Sequence, residues 1–243
     1  MNTLQAKKAS AQEVASKIDH TMLKPGASQK QILKLCDEAI HHGFYSVCIP
    51  PCFIKRAVNF FKKTKPTPIN PPKICTVIGF PLGYNSTETK VAETIQALND
   101  GAVEIDMVIN ISALKNQEFQ YVEEEIKKVL DVLEAHSKDN ILKVIIETAL
   151  LSEQEIIQAT KIIQNAKAHY IKTSTGFSTR GASIEDIKII KAARAYDKNR
   201  LRIKASGGIK SFVQAKEYLK MGVDRLGLSS GVEVIKEILT EKD

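Results

Sequence analysis

The chain has 243 residues, a net charge of +7 and 43% hydrophobic residues, the composition of a globular protein that can bury a full core. Its basic residues are dispersed and lack interleaved aromatic residues, which argues against a nucleic-acid partner. No apolar run approaches the roughly 20 residues that cross a bilayer, and the N-terminus has no apolar signal region. We therefore expect a cytoplasmic protein with no membrane partner.

The sequence gives no indication of a metal or another cofactor. The four cysteines lack CxxC spacing, and no histidine pattern accompanies them. Reduced, mostly buried thiols are expected. No GxGxxG motif follows a predicted strand, so a dinucleotide is not expected either.

Eight short apolar runs alternate with amphipathic segments along the chain. The predicted strands cover about residues 16–19, 44–49, 73–78, 102–107, 142–147, 169–173, 201–206 and 223–228. Several of the helical segments begin with a capping serine: Ser28, Ser86, Ser152 and Ser183. This alternation predicts an α/β protein with a (β/α)8 TIM barrel, a single domain over residues 1–243 with a short N-terminal helical extension. An open doubly wound sheet is the alternative fold.

Charged residues share one face of several predicted strands. Glu104 and Asp106 alternate with apolar residues in VEIDMV, as do Lys143 and Glu147 in LKVIIE and Lys204 in LRIKAS. In a barrel the apolar face meets the helices, so the charged face points inward. Buried ionisable groups are costly unless they pair or act, so this interior is a candidate functional site.

Two lysines stand out at this site. Lys172 ends the sixth predicted strand, and Lys204 lies at the matching height on the seventh. An unprotonated lysine can attack a carbonyl to form a Schiff base, and a neighbouring cation favours loss of its proton. Asp106, at the end of the fourth strand, could move the protons that this chemistry requires. The alternative stays open that each lysine only pairs with an inward acid such as Glu104 or Glu147. Asp106 could likewise be a structural counter-ion for Lys172 or Lys204, and this role does not exclude proton transfer.

Glycine and serine clusters follow the sixth, seventh and eighth predicted strands. Barrel enzymes commonly hold phosphate with backbone N–H groups in these loops and at a helix N-terminus. A tight turn explains any one cluster, but three on neighbouring loops favour a phosphate site. The candidates are Gly176, Gly207, Gly208, Ser229 and Ser230.

Eight stretches together resemble the 2-deoxy-D-ribose 5-phosphate aldolases over about residues 17–232. They are KIDHTMLKP, FYSVCIPP, TVIGFPLGYNSTETKVAET, GAVEIDMVINISALK, LKVIIET, YIKTSTGFST, IKASGGI and DRLGLSSG. The resemblance implies a class I aldolase on a (β/α)8 barrel. Such an enzyme reversibly cleaves 2-deoxy-D-ribose 5-phosphate into D-glyceraldehyde 3-phosphate and acetaldehyde, in deoxyribonucleoside catabolism.

The resemblance also implies roles for individual residues. Lys172 would form the Schiff base, Lys204 would tune it, and Asp106 would be the general acid/base. Asp19 would belong to the supporting polar network near Lys204. The five glycines and serines of the predicted phosphate site would bind the phosphorylated sugar. A homo-oligomer, most simply a dimer, is expected.

Four features depart from the family pattern. Arg180 stands where glycine is expected, and it could contact phosphate or point to solvent. Pro50 replaces a polar residue, Ser112 replaces a glycine, and the chain ends without the tyrosine that some members use in proton transfer. These departures concern efficiency more than reaction type.

Two other functions remain open. A phosphate-binding barrel isomerase or synthase could use the lysines as electrostatic clamps, and it would form no covalent adduct. A non-catalytic barrel could bind a sugar phosphate or a protein partner without turnover.

Overall fold

A computed structural model describes residues 3–64, 71–194 and 201–240 of the chain. Its eight parallel strands pair in chain order, and β1 also pairs with β8, so the barrel is closed. The strands are β1 (Ile18–Thr21), β2 (Ser46–Ile49), β3 (Lys73–Ile78), β4 (Glu104–Val108), β5 (Ile141–Ile145), β6 (Tyr170–Lys172), β7 (Arg202–Ser206) and β8 (Arg225–Leu228). The predicted (β/α)8 barrel is confirmed, and the open doubly wound sheet is wrong.

Helices surround the barrel. They are α1 (Thr3–Ala15), α2 (Gln29–His42), α3 (Ile54–Thr64), α4 (Thr87–Asp100), α5 (Ile111–Lys115), α6 (Phe119–His136), α7 (Glu153–Asn165), α8 (Ile184–Ala193), α9 (Phe212–Lys220) and α10 (Gly231–Thr240), with 3₁₀ helices at Pro51–Phe53 and Thr148–Leu150. The predicted N-terminal extension is α1, which packs against α10. The single-domain organisation stays a prediction.

Capping serines set the start of four helices, as predicted. Each side chain accepts a hydrogen bond from the backbone N–H three residues further on, at Ser28, Ser86, Ser152 and Ser183. In α2, α7 and α8 the residue at that position also bonds back to the backbone of the serine, which closes a capping box. These helix starts therefore follow from local sequence.

The first strand is displaced from its predicted position. The backbone N–H groups of Ser16 and Lys17 still bond to the carbonyls of Gln12 and Val14, so the end of α1 occupies these residues. The strand begins at Ile18 instead. The prediction was two residues early because the last helical turn is not distinguishable from a short apolar strand by pattern alone.

The core lies between the barrel and its helices. Outward residues such as Ile105, Met107, Val144 and Ile203 are fully buried in it. Burying each such side chain contributes about 1.5–3 kcal/mol. The charged residues of the same strands point inward, as alternation predicts.

Among the described residues, the helices are too short or too polar for any of them to span a lipid bilayer.

Candidate active site

Charged side chains inside the barrel form one connected set of ion pairs, here called the interior network. Its members are the carboxylates Asp19, Glu104 and Asp106 and the cations Lys143, Lys172, Lys204 and Arg225. No side chain in the network is more than 5% exposed. Buried charges are tolerated where each has an opposite partner, and the network provides one for every member.

Asp106 is the centre of the interior network. Its Oδ2 accepts hydrogen bonds from the Nζ atoms of Lys172 and Lys204, each at 2.7 Å. Its Oδ1 accepts a hydrogen bond from Lys143 Nζ at 2.9 Å. Burial alone would raise the pKa of Asp106, but the three lysines hold it well below its ordinary value. Asp106 is therefore ionised at neutral pH.

The position of Asp106 along its strand differs from the prediction. The sequence pattern placed Asp106 at the end of the fourth strand. β4 continues to Val108, because Met107 and Val108 still pair with β5. The carboxylate consequently lies fully buried below the mouth and bonds to the lysines directly.

Lys172 and Lys204 lie side by side. They are register partners in the β6–β7 pair, which confirms the predicted matching height. Lys204 Nζ also contacts the Asp19 carboxylate, so Asp19 lies next to Lys204, where the resemblance placed it. Burial alone would lower the pKa of Lys204, but Asp106 and Asp19 raise it above its ordinary value. The two carboxylates thus favour the charged form of Lys204.

Glu104 and Glu147 do not pair with these two lysines among the described contacts. Glu104 Oε2 lies 2.5 Å from Lys143 Nζ and 3.7 Å from Arg225 Nη1. Glu147 lies beyond β5 in a left-handed conformation with φ 53°, and its Oε2 accepts a hydrogen bond from the Thr175 N–H at 3.2 Å. The lysines do pair with an inward acid, but that acid is Asp106.

Sequence reasoning predicted that Glu104 and Lys143 point inward but assigned neither a role in the reaction, and it missed Arg225. Lys143 joins Asp106 to Glu104, and Arg225 Nη1 donates to Asp19 Oδ1 at 2.7 Å. The Arg225 guanidinium also lies 3.4 Å from the centroid of the Tyr45 ring. Alternation along β5 had already predicted that Lys143 points inward. The same alternation along β8 predicts that Arg225 points inward, and the structure pairs it with Lys204 in register.

A cavity of about 490 Å³ opens above the interior network, beyond the carboxyl ends of the strands. Lys172 is the one member of the network that lines it. Lys24 and Lys210 also line it, and none of the described acidic residues does. The cavity thus offers an amine at its floor and positive charge in its wall, which suits an anionic carbonyl compound.

The structure brings four of the five predicted phosphate residues to this cavity: Gly176, Gly207, Gly208 and Ser229. All three glycines have positive φ, between 78° and 88°, which glycine adopts at no steric cost. Ser230 does not line the cavity, because its Oγ donates to the Ile209 carbonyl at 3.0 Å just before α10. A role of Ser230 in phosphate binding stays a prediction.

Two cysteines lie beside Asp106. Cys48 Sγ, Cys75 Sγ and a carboxylate oxygen of Asp106 are within 4.8 Å of one another. Cys75 Sγ donates to Asp106 Oδ1 at 3.2 Å, and burial raises the pKa of this thiol well above its ordinary value. A metal ion here would have to displace ammonium groups from Asp106. The two cysteines are therefore better explained as free thiols than as metal ligands. Three of the four cysteines are buried and all are free, as predicted.

None of the described departures from the family pattern lines the cavity. Arg180 neither lines the cavity nor points freely to solvent, because its guanidinium pairs with Asp186. Ser112 is exposed on α5, and Pro50 links β2 to a 3₁₀ helix. The chain end without tyrosine, residues 241–243, lies outside the described residues.

Comparisons with known proteins identify the family of this chain. The profile of the DeoC/LacD family aldolases matches residues 13–234. The chain belongs to this aldolase family. Its enzyme class is that of a carbon–carbon lyase, which contradicts the non-catalytic barrel and disfavours the isomerase.

Individual relatives are similar over nearly their whole length. A deoxyribose-phosphate aldolase of Caldanaerobacter subterraneus subsp. tengcongensis is 46% identical over 95% of this chain and 96% of its own. One of Thermococcus gammatolerans is 45% identical over 92% and 96%. Among solved structures, the aldolase QR15 is 39% identical with a TM-score of 0.83, covering 93% of this chain and 96% of its own. The tetrameric deoxyribose phosphate aldolase of Aeropyrum pernix is 28% identical with a TM-score of 0.84, covering 98% and 97%.

Proposed function

We propose that this aldolase reversibly cleaves 2-deoxy-D-ribose 5-phosphate into D-glyceraldehyde 3-phosphate and acetaldehyde, with Lys172 as the Schiff-base lysine. The observation that carries the proposal is the position of Lys172, whose amine bonds to Asp106 while its side chain lines the cavity. The names of the two curated relatives support the substrate.

The interior network contains more cations than carboxylates. Three carboxylates face four cations, so full ionisation leaves one positive charge in excess. The pKa values of Lys143, Lys204 and Arg225 are raised because the carboxylates outweigh the effect of burial. Lys172 is the cation of this set that lines the cavity, and the charge of Lys204 on the same Asp106 oxygen repels a second ammonium.

The proposed reaction uses this amine as a nucleophile. Lys172 Nζ attacks the C1 aldehyde of the open-chain sugar, and loss of water gives an iminium ion. Removal of the C3 hydroxyl proton then breaks the C2–C3 bond, and its electrons flow into the iminium. Glyceraldehyde 3-phosphate leaves, and the remaining enamine is protonated at C2 and hydrolysed to acetaldehyde. Asp106 moves the protons of these steps directly or through water.

The loops after β6, β7 and β8 are proposed to hold the phosphate. Backbone N–H groups near Gly176, Gly207 and Gly208 border the cavity, and α10 begins just after Ser230. Lys24 and Lys210 add positive charge at the same wall. The distance from Lys172 to these loops then sets which carbon of the sugar meets the amine.

Borohydride trapping tests the proposal. The protein is incubated with 2-deoxy-D-ribose 5-phosphate, reduced, digested and analysed by mass spectrometry, with the Lys172→Ala variant as the control. An adduct confined to Lys172 in the wild type is expected. An adduct on Lys204 would reverse the roles of the two lysines, and no adduct on folded protein would overturn the covalent mechanism.

We also propose the cellular setting that the resemblance implies: deoxyribonucleoside catabolism in the cytoplasm. The assembly is proposed to be a homo-oligomer. Static light scattering after gel filtration distinguishes the predicted dimer from a tetramer like that named for the Aeropyrum pernix relative.

A further inference from the structure

Arg180 connects three segments at the rim of the barrel. Its Nη1 donates to Asp186 Oδ2 at 2.6 Å and its Nη2 to Asp186 Oδ1 at 3.0 Å, a two-pronged pair. Nη2 also donates to the Thr148 carbonyl at 3.2 Å, and Nη1 to the Gly181 carbonyl at 3.0 Å. One side chain thus joins the 3₁₀ helix after β5, the loop after β6 and the first turn of α8.

The Asp186 end of this connection is firmly held. The Asp186 side chain is 4% exposed and closes the capping box of α8, accepting the Ser183 N–H at 3.1 Å. It also accepts the Thr148 hydroxyl at 2.8 Å. A planar guanidinium matches a carboxylate in two parallel hydrogen bonds, which fixes direction as well as distance. Arg180 is therefore anchored to a rigid helix start.

The Gly181 end packs directly on the proposed phosphate loops. A Cβ on Gly181 would overlap the Gly207 carbonyl, so the two backbones are in close contact. The Ala182 N–H donates to the Ser206 carbonyl at 3.0 Å. A Cβ on Gly207 would in turn lie only 2.9 Å from the Gly181 Cα, and it would make an ordinary contact of 3.6 Å with the Gly176 Cα. A shift of the loop at Gly181 would therefore be passed to Gly207, which lies next to Gly176.

We propose that Arg180 is a positioning residue, which holds the loop after β6 against the loop after β7 so that the N–H groups near Gly176, Gly207 and Gly208 converge on the substrate phosphate. It acts through these loops and does not contact the phosphate. The proposal rests on the proposed function and assigns a role to a residue that departs from the family pattern.

The test compares two substitutions of Arg180 with a matched surface control. Arg180→Ala removes the whole connection, whereas Arg180→Lys keeps the positive charge but loses the two-pronged geometry. Lys188→Ala is the control, because it breaks an exposed ion pair with Glu185 on the same helix without touching the loop. Turnover is measured with 2-deoxy-D-ribose 5-phosphate and with 2-deoxy-D-ribose, which lacks the phosphate.

We expect both Arg180 variants to raise KM for the phosphorylated sugar roughly tenfold, because the displaced loop costs the phosphate about one backbone hydrogen bond, with kcat within about twofold. Their kcat/KM for 2-deoxy-D-ribose should stay at the wild-type value, as should all constants of Lys188→Ala. Wild-type constants in Arg180→Lys would show that charge alone matters and would overturn the positioning role. An equal loss on both sugars would also overturn it.

A second measurement separates this proposal from the proposed function. Hydrogen–deuterium exchange at residues 174–182 should be faster in both Arg180 variants than in the wild type and Lys188→Ala, and calorimetry should show weaker binding of inorganic phosphate. Unchanged exchange and phosphate affinity would overturn the positioning role. Absence of turnover in the wild type would instead overturn the proposed function and leave these two readouts to decide on Arg180.

Discussion

Two sets of buried charges in this molecule have pKa shifts of opposite origin: burial determines the direction in one set, and attraction between opposite charges determines it in the other. Outside the barrel, Lys90 of α4 and Glu125 of α6 form a single pair at 2.6 Å, and both side chains are fully buried. Burial lowers the pKa of Lys90 and raises that of Glu125, and their mutual attraction only partly offsets this. Here the cost of leaving water outweighs the attraction between the charges.

Inside the barrel the attraction outweighs burial. Asp106 faces three ammonium groups, and its pKa is held well below the ordinary value. Lys143 faces several acids, and its pKa is raised well above the ordinary value. The difference is the number of opposite charges that each group faces, because their attractions add while its desolvation cost is incurred once. Several charges that pair with one another can therefore stay ionised in the core, whereas burial disfavours the charged forms of an isolated pair.

The two sets also differ in access. Lys90 Nζ donates to the Gly83 carbonyl as well as to Glu125, and this holds the loop after β3. Neither residue lines the cavity above the barrel, whereas Lys172 does. The interior network therefore reaches the cavity through Lys172, whereas the Lys90–Glu125 pair has no such access.

The largest effect is expected from Lys172→Ala. Turnover should fall by at least about 10⁴-fold because the nucleophile is lost. Asp106 keeps Lys143 and Lys204 as partners, so the variant should stay folded and show a single thermal unfolding transition. Steady-state kinetics and circular dichroism check this. Residual activity near the wild-type level would remove Lys172 from the mechanism.

The next largest effect is expected on the stability of the folded protein, from changes to the Lys90–Glu125 pair. Lys90→Met leaves the Glu125 carboxylate buried without its cation, so the free energy of unfolding should fall by about 3–5 kcal/mol. The double variant Lys90→Met, Glu125→Leu should recover part of this loss. Urea unfolding measures both, and kcat of the folded protein should stay unchanged. A double variant less stable than the single one would contradict the comparison between the two sets.

Lys204→Leu should reduce turnover by about 10²–10³-fold, within the range for loss of a group that controls proton transfer. Without the neighbouring cation, Lys172 keeps its proton more readily. The remaining activity should therefore rise with pH more steeply than that of the wild type. A pH–rate profile parallel to the wild type would reduce Lys204 to a structural counter-ion.

The smallest effect is a difference in the pH dependence of stability. The pKa of Asp106 is depressed in the folded state, so its contribution is present above about pH 4 and is lost as the pH falls further. The pKa of Glu125 is raised, so protonation of Glu125 favours the folded state as the pH falls towards about 4.3.

Chemical unfolding between pH 3 and 7 compares the wild type with Asp106→Asn and with Glu125→Gln. The wild type should lose its advantage over Asp106→Asn in acid, by on the order of 1 kcal/mol per unit of pH. Relative to Glu125→Gln it should gain stability as the pH falls. Slopes of the same sign would show that the two sets of charges do not differ as described.

Local sequence was sufficient to predict the barrel fold and many residues of the candidate site. Period-two alternation turned Asp106, Lys143 and Lys204 inward, because successive side chains of a strand point to opposite faces. The capping serines fixed helix starts for the same local reason, since the bond spans three residues. The motifs of the sixth, seventh and eighth strands predicted the two lysines of the site and the loops proposed to bind phosphate.

Partners across the barrel were decided by tertiary structure alone. Alternation gives the face of a residue but not its depth, so it could not show that Lys172 and Lys204 share one oxygen of Asp106. It could not separate Lys172, which lines the cavity, from Lys143 and Lys204 below it. Nor could it show that Arg180 reaches Asp186, because that contact depends on how a loop folds back onto a helix start. Such contacts depend on strand stagger and loop path, which no local pattern encodes.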